Sequence, residues 1–302
     1  KGGQVDYGNE NASRLGITQR PENKQYDGLY PAWDAEHPIH IISHSQGGQT
    51  ARMLEVLLNK SYDGEESPLL SNKYKGWIKS ITTISTPHNG STLVPIMLDV
   101  FPFSLNLAPW FGSIDNKTIN RLYSFDLEHW GLEKGPDESY DGFVSRLLES
   151  ELNNPKNLCS WELSIEGANE FNQLYEEDIG VYYFSFITSA TKPKNNSLSH
   201  KPDSVMSLHL WPTGLLMGNY SGVIDSRWYE NDGVVNSVSM SHPFGSNILP
   251  FVVGTPITGV WQSMGTINAD HQSIIGHGVS KNENKKIFAL YNNHCSLLYT
   301  LE

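Results

Sequence analysis

The sequence predicts an α/β fold in which a mostly parallel β-sheet is flanked by helices. Two observations favour this class. First, a short apolar run at residues 39–43 passes directly into a helical pattern at 46–59. Second, a β-branched run at 77–85 and an apolar run at 181–188 repeat the strand pattern later in the chain. Strands that alternate with helical segments are typical of a parallel sheet.

The remaining elements follow from the same periodicities. Apolar residues predict further strands at 234–240 and at about 250–254. Residues 283–301 carry apolar side chains at helical spacing, which predicts a terminal helix. Parallel strands joined through helices imply right-handed crossovers.

Length and composition restrict the class of protein. The 302 residues contain no linker, repeat or low-complexity tract, so we expect residues 1–302 to form a single domain. A net charge of −12 argues against a nucleic-acid partner, and no apolar stretch is long enough to span a membrane. Cys159 and Cys295 suggest neither a disulfide framework nor a metal site and are predicted to be buried thiols.

A serine motif stands between the first strand and its helix. The run Ser43-His44-Ser45-Gln46-Gly47 has the form small-x-Ser-x-Gly. This is the pattern of the nucleophile elbow of α/β-hydrolases, a sharp strand-to-helix turn that exposes the serine hydroxyl. Backbones approach closely in such a turn, so small residues are expected beside the serine, here Ser43 and Gly47. The motif therefore predicts an α/β-hydrolase fold with Ser45 as nucleophile.

A serine nucleophile needs a base and an orienting carboxylate, and in this fold they follow in the order Ser, acid, His. Asp232 lies in a turn signal beside an apolar segment, and His271 precedes the terminal helix pattern. By position alone, other residues also qualify. They are the histidines His242, His277 and His294 and the acid Asp225.

Several longer runs are more specific than the serine motif. They include TTISTPHNGSTL at 82–93, RWYENDG at 227–233 and MGTINADH at 264–271, together with 40–54, 127–132 and 163–168. With these runs the chain resembles, over nearly its whole length, the secreted triacylglycerol lipases of the staphylococcal and thermophilic-bacillus group. The resemblance implies a triad of Ser45, Asp232 and His271. It also implies a lipid or ester substrate met at a lipid–water interface, and an extracellular location.

The chain begins at Lys1 with a segment that resembles the middle of the family's domain. The resemblance implies that the first strands lie upstream, so an N-terminally incomplete domain is expected. An oxyanion hole needs two N–H donors. The backbone N–H of Gln46 is expected to be one of them, and the second is expected outside this chain.

Residues 94–125 are rich in large apolar side chains and are broken by Pro102 and Pro109. The residues alone fit either an ordinary buried segment or a lid. The resemblance favours a helical lid insertion that covers the serine pocket in water and opens at lipid.

The family's metal ligands are not matched. Zinc ligands of the thermophilic-bacillus lipases fall on Asn11, Ile17 and Asn157, and Ile17 has no atom that binds a metal. Calcium carboxylates fall on Ser273 and Gly278, which lack the anionic oxygens that calcium prefers. The nearby carboxylates Asp203 and Asp270 are assigned no metal, and no cofactor is expected.

The predicted function is hydrolysis of carboxylic esters, above all triacylglycerols, through an acyl-enzyme on Ser45. Two alternatives stay open. One is a phospholipase or short-chain carboxylesterase on the same scaffold. The other is a truncated, inactive lipase-like protein that only binds lipid.

Overall fold

The computed structural model describes residues 3–4, 25–59, 74–100, 138–139, 142, 145–146, 156 and 159–301. The chain divides into two compact units. One unit comprises residues 34–56, 76–96 and 162–302, and the other comprises residues 1–33, 57–75 and 97–161. In the latter, strands β1 (Gly3–Gln4) and β2 (Gln25–Tyr26) pair antiparallel. The single domain over 1–302 stays a prediction.

The unit that contains Ser45 is built on a parallel sheet. Its described strands are β3 (Ile39–His44), β4 (Ile78–Ile84), β5 (Tyr182–Ser189), β6 (Thr191–Pro193), β7 (His200–Pro202), β8 (Ile248–Pro250) and β9 (Trp261–Asn268). Five of them form one sheet in the order β3-β4-β5-β9-β8, and every neighbouring pair is parallel. Strands β6 and β7 form a separate antiparallel pair. The sheet confirms the predicted α/β class.

Strands β4 and β5 lie inside the sheet and are buried along almost their whole length. Near their carboxyl ends, Ile84 and Phe186 pack with Ile274 in one core cluster, and Leu290 and Tyr291 pack against it. Burial of such side chains stabilises the fold by about 1.5–3 kcal/mol each. The core therefore lies directly beneath the loops that leave the carboxyl ends of the strands.

The described helices are α1 (Gly47–Asn59), α2 (Leu93–Val100), α3 (Cys159–Leu163), α4 (Ile165–Leu174), α5 (Trp211–Met217) and α6 (Lys281–Leu298). Helix α6 starts at a capping box, in which the Ser280 side chain accepts from the Glu283 N–H and the Glu283 side chain accepts from the Ser280 N–H. This cap explains why the helix starts before residue 283, where the sequence pattern predicted it.

The strand predicted at 234–240 is wrong. Ser237–Met240 is a short 3-10 helix, and an isolated bridge joins Asn231 to Asn236 around the preceding turn. The Oδ1 atom of Asp232 accepts the N–H groups of Val234 and Val235 at 3.0 and 2.8 Å. These local hydrogen bonds use backbone N–H groups that a β-sheet would need for pairing, so the apolar segment forms a turn instead of a strand.

Two strands of the five-stranded sheet also differ from prediction. The strand expected at about 250–254 ends at Pro250, because the chain then turns with the Thr255 N–H donating to the Val252 carbonyl. Strand β9 was not predicted. It contains Gly265 at a φ of +91° and several polar residues, which obscure its apolar pattern.

The cysteine prediction is also wrong, since both thiols are free and exposed. On α6 the buried residues are His294 and Leu298, and Cys295 between them is exposed. Of the predicted lid at 94–125, only the part within α2 is described, and residues 101–125 lie outside the described residues.

Candidate active site

Ser45 occupies a strained turn between β3 and α1. Its φ is +57°, in the left-handed region that non-glycine residues rarely adopt. The turn is fixed on both sides, because the Ser45 N–H donates to the Ile84 carbonyl at 2.9 Å and the Ser45 carbonyl accepts from the Thr86 hydroxyl at 2.9 Å. Strain of this kind persists only where the surroundings hold it, and it is frequent at functional sites.

The closest approach in the turn involves Gly48. A Cβ at this position would lie 2.1 Å from Oγ1 of Thr86, so no side chain fits there. At Gly47, by contrast, a Cβ would make an ordinary 3.6 Å contact with Cβ of Ser43. A small residue is therefore required most strictly at Gly48, one position after the predicted Gly47.

Asp232 is fully buried in the turn that follows the 3-10 segment Ser226–Tyr229. One carboxylate oxygen, Oδ1, accepts the two backbone N–H groups of Val234 and Val235. The other oxygen, Oδ2, lies 2.8 Å from Nδ1 of His271. The turn thus aims one oxygen of the carboxylate at the imidazole.

His271 joins the other two residues. Its Nε2 atom lies 2.9 Å from the hydroxyl of Ser45, while its Nδ1 faces Asp232. Because an ionised carboxylate only accepts, Nδ1 carries the proton and Nε2 of the neutral ring is free to accept from the serine. This is the tautomer that a general base for Ser45 needs.

The backbone of His271 is held as firmly as its ring. The His271 N–H donates to the Asp232 carbonyl at 3.1 Å, and the His271 carbonyl accepts from Nε2 of His44 at 2.9 Å. The predicted nucleophile, acid and base therefore lie in one continuous hydrogen-bonded chain.

The charges around His271 change its basicity. Burial lowers the pKa of the ring, but the charge and hydrogen bond of Asp232, with the charge of Asp270, raise it more, so the pKa lies above 6.5. A raised pKa makes the imidazole a better proton acceptor, which is the property that a general base requires.

Asp270, the residue before His271, anchors the same loop. Its carboxylate accepts from the N–H and hydroxyl of Ser207 at 2.8 and 2.6 Å. It also accepts from the N–H groups of Gln272 and Ser273 at 2.9 and 2.7 Å. Burial raises the pKa of this carboxyl, but the hydrogen bonds lower it more, so Asp270 remains ionised at neutral pH.

The calcium positions implied by the resemblance do not fit a cation here. The Ser273 hydroxyl is engaged with the backbone of Asp270, and Gly278 offers no side chain. Among the described residues, no group of three or more His, Cys, Asp or Glu side chains is arranged to hold a metal. The zinc positions Asn11, Ile17 and Asn157 lie outside the described residues. The absence of a metal stays a prediction.

Gln46 follows the nucleophile, as an oxyanion donor should. In the described part of the chain its backbone N–H donates to no protein acceptor. Its side-chain amide donates to Glu162 at 2.9 Å and does not occupy the backbone N–H. The N–H is therefore available for an oxyanion on a carbonyl attacked by Ser45.

The competing residues make other contacts. The His294 Nε2 atom hydrogen-bonds the Thr82 hydroxyl in a buried site between aromatic rings, and His242 bonds the Ser241 hydroxyl. His277 is exposed, and Asp225 pairs with Arg227. Geometry therefore selects His271 and Asp232 where chain order alone left the choice open.

Sequence reasoning missed two residues of this site, His44 and Thr188. The hydroxyl of Thr188 donates to Oδ2 of Asp232 at 2.7 Å. Thr188 lies in an apolar strand where its hydroxyl gives no periodic signal, and His44 was read only as the variable position of the serine motif. Only the assembled sheet brings them to the triad.

Comparison with known proteins gives a consistent result. The family model described as "Lipase-like, C-terminal domain" matches residues 1–297. Lipase 1 of Staphylococcus aureus (strain NCTC 8325 / PS 47) is 34% identical over 294 residues, which cover 93% of this chain and 42% of that protein. A lipase of Staphylococcus epidermidis is 34% identical over 292 residues and 40% of its length. The chain thus spans less than half the length of these curated relatives.

Solved structures agree. The crystal structure of Staphylococcus hyicus lipase matches with a TM-score of 0.81 at 28% identity, covering 100% of this chain and 80% of that one. EstA from Clostridium botulinum matches with a TM-score of 0.72 at 34% identity, covering 92% and 69%. These matches support the α/β-hydrolase architecture.

Proposed function

The chain belongs to the staphylococcal-type lipase family, and from this membership and the geometry of the site we propose that it hydrolyses carboxylic esters with Ser45, His271 and Asp232. The observation that carries the proposal is the unbroken contact chain. Ser45 Oγ lies 2.9 Å from His271 Nε2, and His271 Nδ1 lies 2.8 Å from Asp232 Oδ2. Nucleophile and base within hydrogen-bond reach, with the base oriented by a third group, is the arrangement that activates a serine.

The mechanism follows from these contacts. Ser45 Oγ attacks the ester carbonyl while His271 Nε2 takes the hydroxyl proton. The backbone N–H of Gln46 donates to the oxyanion of the tetrahedral intermediate. The imidazolium, stabilised by Asp232, gives its proton to the leaving alcohol, and an acyl group remains on Ser45. Water activated by the same imidazole then releases the acid and restores the serine.

The proposed substrate class is triacylglycerol. It is supported by relatives named as lipases in three staphylococcal species. The apolar segment 94–125 is proposed as a lid, which would favour esters presented at a lipid–water interface. An extracellular location is proposed from the family resemblance.

No helix within the described residues combines the length and hydropathy that crossing a bilayer requires.

The test measures fatty-acid release by the purified protein at constant pH. The substrates are a triolein emulsion, tributyrin below and above its solubility limit, phosphatidylcholine vesicles and dissolved p-nitrophenyl acetate. The Ser45→Ala variant is the matched control. We expect serine-dependent hydrolysis, with the rate rising abruptly when tributyrin passes its solubility limit.

Each other outcome has a distinct meaning. Smooth saturation with best turnover of acetate esters would replace the lipase by a carboxylesterase. Preferential hydrolysis of phosphatidylcholine would replace it by a phospholipase. Lipid binding by a folded chain that hydrolyses none of the four substrates would contradict the proposed enzyme.

A further inference from the structure

The carboxylate of Asp232 has a side-chain partner besides His271. The Oγ1 atom of Thr188 lies 2.7 Å from Oδ2, the same oxygen that faces the His271 ring. With Val234 and Val235 on Oδ1, each carboxylate oxygen therefore meets two donors. Asp232 and Thr188 are both fully buried, so these protein groups replace the water that would otherwise solvate the charge.

The direction of the Thr188 hydrogen bond can be assigned. An ionised carboxylate only accepts, and a hydroxyl has a single proton, so Thr188 donates that proton to Asp232. The hydroxyl of Ser85 lies 2.7 Å from the same Thr188 oxygen and must then be the donor in that contact. The three side chains form one directed series, from Ser85 to Thr188 to Asp232.

A weaker contact fits the same assignment. The sulfur of Met240 lies 3.3 Å from Oγ1 of Thr188 and 3.2 Å from its backbone N. A thioether is a poor acceptor beside a carboxylate, so it does not compete for the hydroxyl proton.

Ser85 has an unusual backbone. It follows the last residue of β4 with a φ of +53°, and its N–H donates to the Phe186 carbonyl at 3.1 Å. Thr188 is the penultimate residue of β5, the strand next to β4 in the sheet. A fully buried non-glycine residue in a left-handed conformation is a frequent mark of functional sites.

We propose that Thr188 is a positioning residue for the ester hydrolysis proposed above, and that Ser85 keeps its hydroxyl in the donating orientation. When His271 becomes an imidazolium, Oδ2 of Asp232 must stay on the Nδ1–H. The Thr188 proton fixes this oxygen and prevents the carboxylate from turning away. A stronger, better-aligned contact between Asp232 and His271 serves the transition state rather than substrate binding.

The test compares Thr188→Val, which keeps the shape but removes the hydroxyl, with Thr188→Ser, which keeps the hydroxyl. We expect Thr188→Val to lower kcat about 10- to 100-fold with KM within about twofold, since an interaction specific to the transition state is lost. Thr188→Ser should stay within about threefold of the parent. Ser85→Ala should lower kcat by a smaller factor, about three- to tenfold.

A spectroscopic readout separates positioning from general stability. The proton between His271 Nδ1 and Asp232 should give a downfield NMR resonance, identified by its loss in His271→Ala. We expect Thr188→Val to shift or broaden it and Thr188→Ser to retain it. If Thr188→Val does not fold, the same resonance and kcat are measured in Ser85→Ala, and these test the proposal instead.

The proposal would be overturned if folded Thr188→Val kept both the resonance and the parent kcat, or if Thr188→Ser were impaired as much as Thr188→Val. Failure of the proposed function looks different, because the parent chain itself would then hydrolyse no ester.

Discussion

His44 and His271 are in direct contact. The Nε2 atom of His44 donates to the carbonyl oxygen of His271 at 2.9 Å, and the ring centroids lie 4.6 Å apart. Because a carbonyl only accepts, His44 must carry its proton on Nε2. Burial and the nearby charge of His271 lower the pKa of His44 to about 4, so the donor ring is neutral at pH 7. The residue before the nucleophile thus ties the loop of the base to the serine turn.

We predict that His44→Phe lowers kcat/KM for ester hydrolysis about tenfold. One neutral hydrogen bond contributes about 1 kcal/mol, and its loss lets the His271 loop move relative to Ser45. His44→Gln is the matched control, because its amide keeps an N–H donor and should recover most of the activity. Equal losses in both variants, with unchanged melting temperatures, would mean that the ring itself and not the donor matters.

The raised pKa of His271 predicts the acid limb of the pH–rate profile. The base works only when neutral, so kcat/KM should rise with pH and reach its plateau through an apparent pKa above 6.5. Initial-rate assays from pH 5 to 9, with an ester that does not ionise in this range, measure this limb. An apparent pKa well below 6.5 would contradict the assigned surroundings of His271.

The charge of Asp270 contributes to that raised pKa. Asp270→Asn should therefore move the acid limb to lower pH, because a weaker negative field makes the imidazolium easier to deprotonate. The variant should also melt at a lower temperature, since the amide cannot accept all four hydrogen bonds of the carboxylate. Asp225→Asn, at the Arg227 pair, is the control that should leave the acid limb in place. An unmoved limb in Asp270→Asn would exclude this charge effect.

Helix α1 also carries a buried acid, Glu55, whose carboxylate accepts from the hydroxyls of Tyr175 and Tyr183. Burial, helped by the charges of Asp178 and Glu177, raises its pKa from 4.5 to about 7 against the effect of the tyrosine hydrogen bonds. The folded chain therefore holds a proton that the unfolded chain releases at lower pH. The stabilisation is complete below pH 4.5 and is lost as the pH rises to about 7.

We predict that Glu55→Gln removes a pH dependence on the order of 3 kcal/mol in the free energy of unfolding across that window. The measurement is the difference in unfolding free energy between variant and parent at several pH values from 4.5 to 7. Glu176→Gln, which changes an exposed side chain, is the control, and its unfolding free energy should change with pH as that of the parent does. If Glu55→Gln showed the same pH dependence of the unfolding free energy as the parent, the Glu55 carboxyl would have to be ionised over the whole of that pH range.

Chelation should leave the melting temperature unchanged. Ser273 and Gly278 cannot supply calcium carboxylates, and the Asp270 carboxylate accepts from the N–H and hydroxyl of Ser207. A metal stabilises a fold only by binding it. Calorimetry with and without EDTA checks this. A large drop that stoichiometric calcium or zinc reverses would reveal a metal site made by other residues.

Local patterns sufficed for the serine turn, because strand, turn and helix are contiguous and their periodicities differ. They failed at 234–240, where the buried carboxylate of Asp232, two residues upstream, accepts the backbone N–H groups of an apparent strand. They also missed β9, whose Gly265 interrupts the pattern.

Long-range contacts explain what remained open in the site. His271 could be separated from His242 and His294 only by distance to Ser45, a property of the folded sheet. The hydroxyls of Ser85 and Thr188 acquire a role because β4 and β5 are neighbours whose ends meet Asp232. A pattern confined to one strand cannot contain that relationship.

The proposed function requires that Ser45 is a nucleophile activated by His271 and Asp232. The most direct measurement is intact-mass analysis of the chain after reaction with a fluorophosphonate, followed by peptide mapping. We predict one adduct per chain, on the peptide that contains Ser45, and none in Ser45→Ala. His271→Ala and Asp232→Asn should label on the order of 10⁴-fold more slowly, while His277→Ala labels like the parent. An adduct on another residue, or full-rate labelling of folded His271→Ala, would contradict the account.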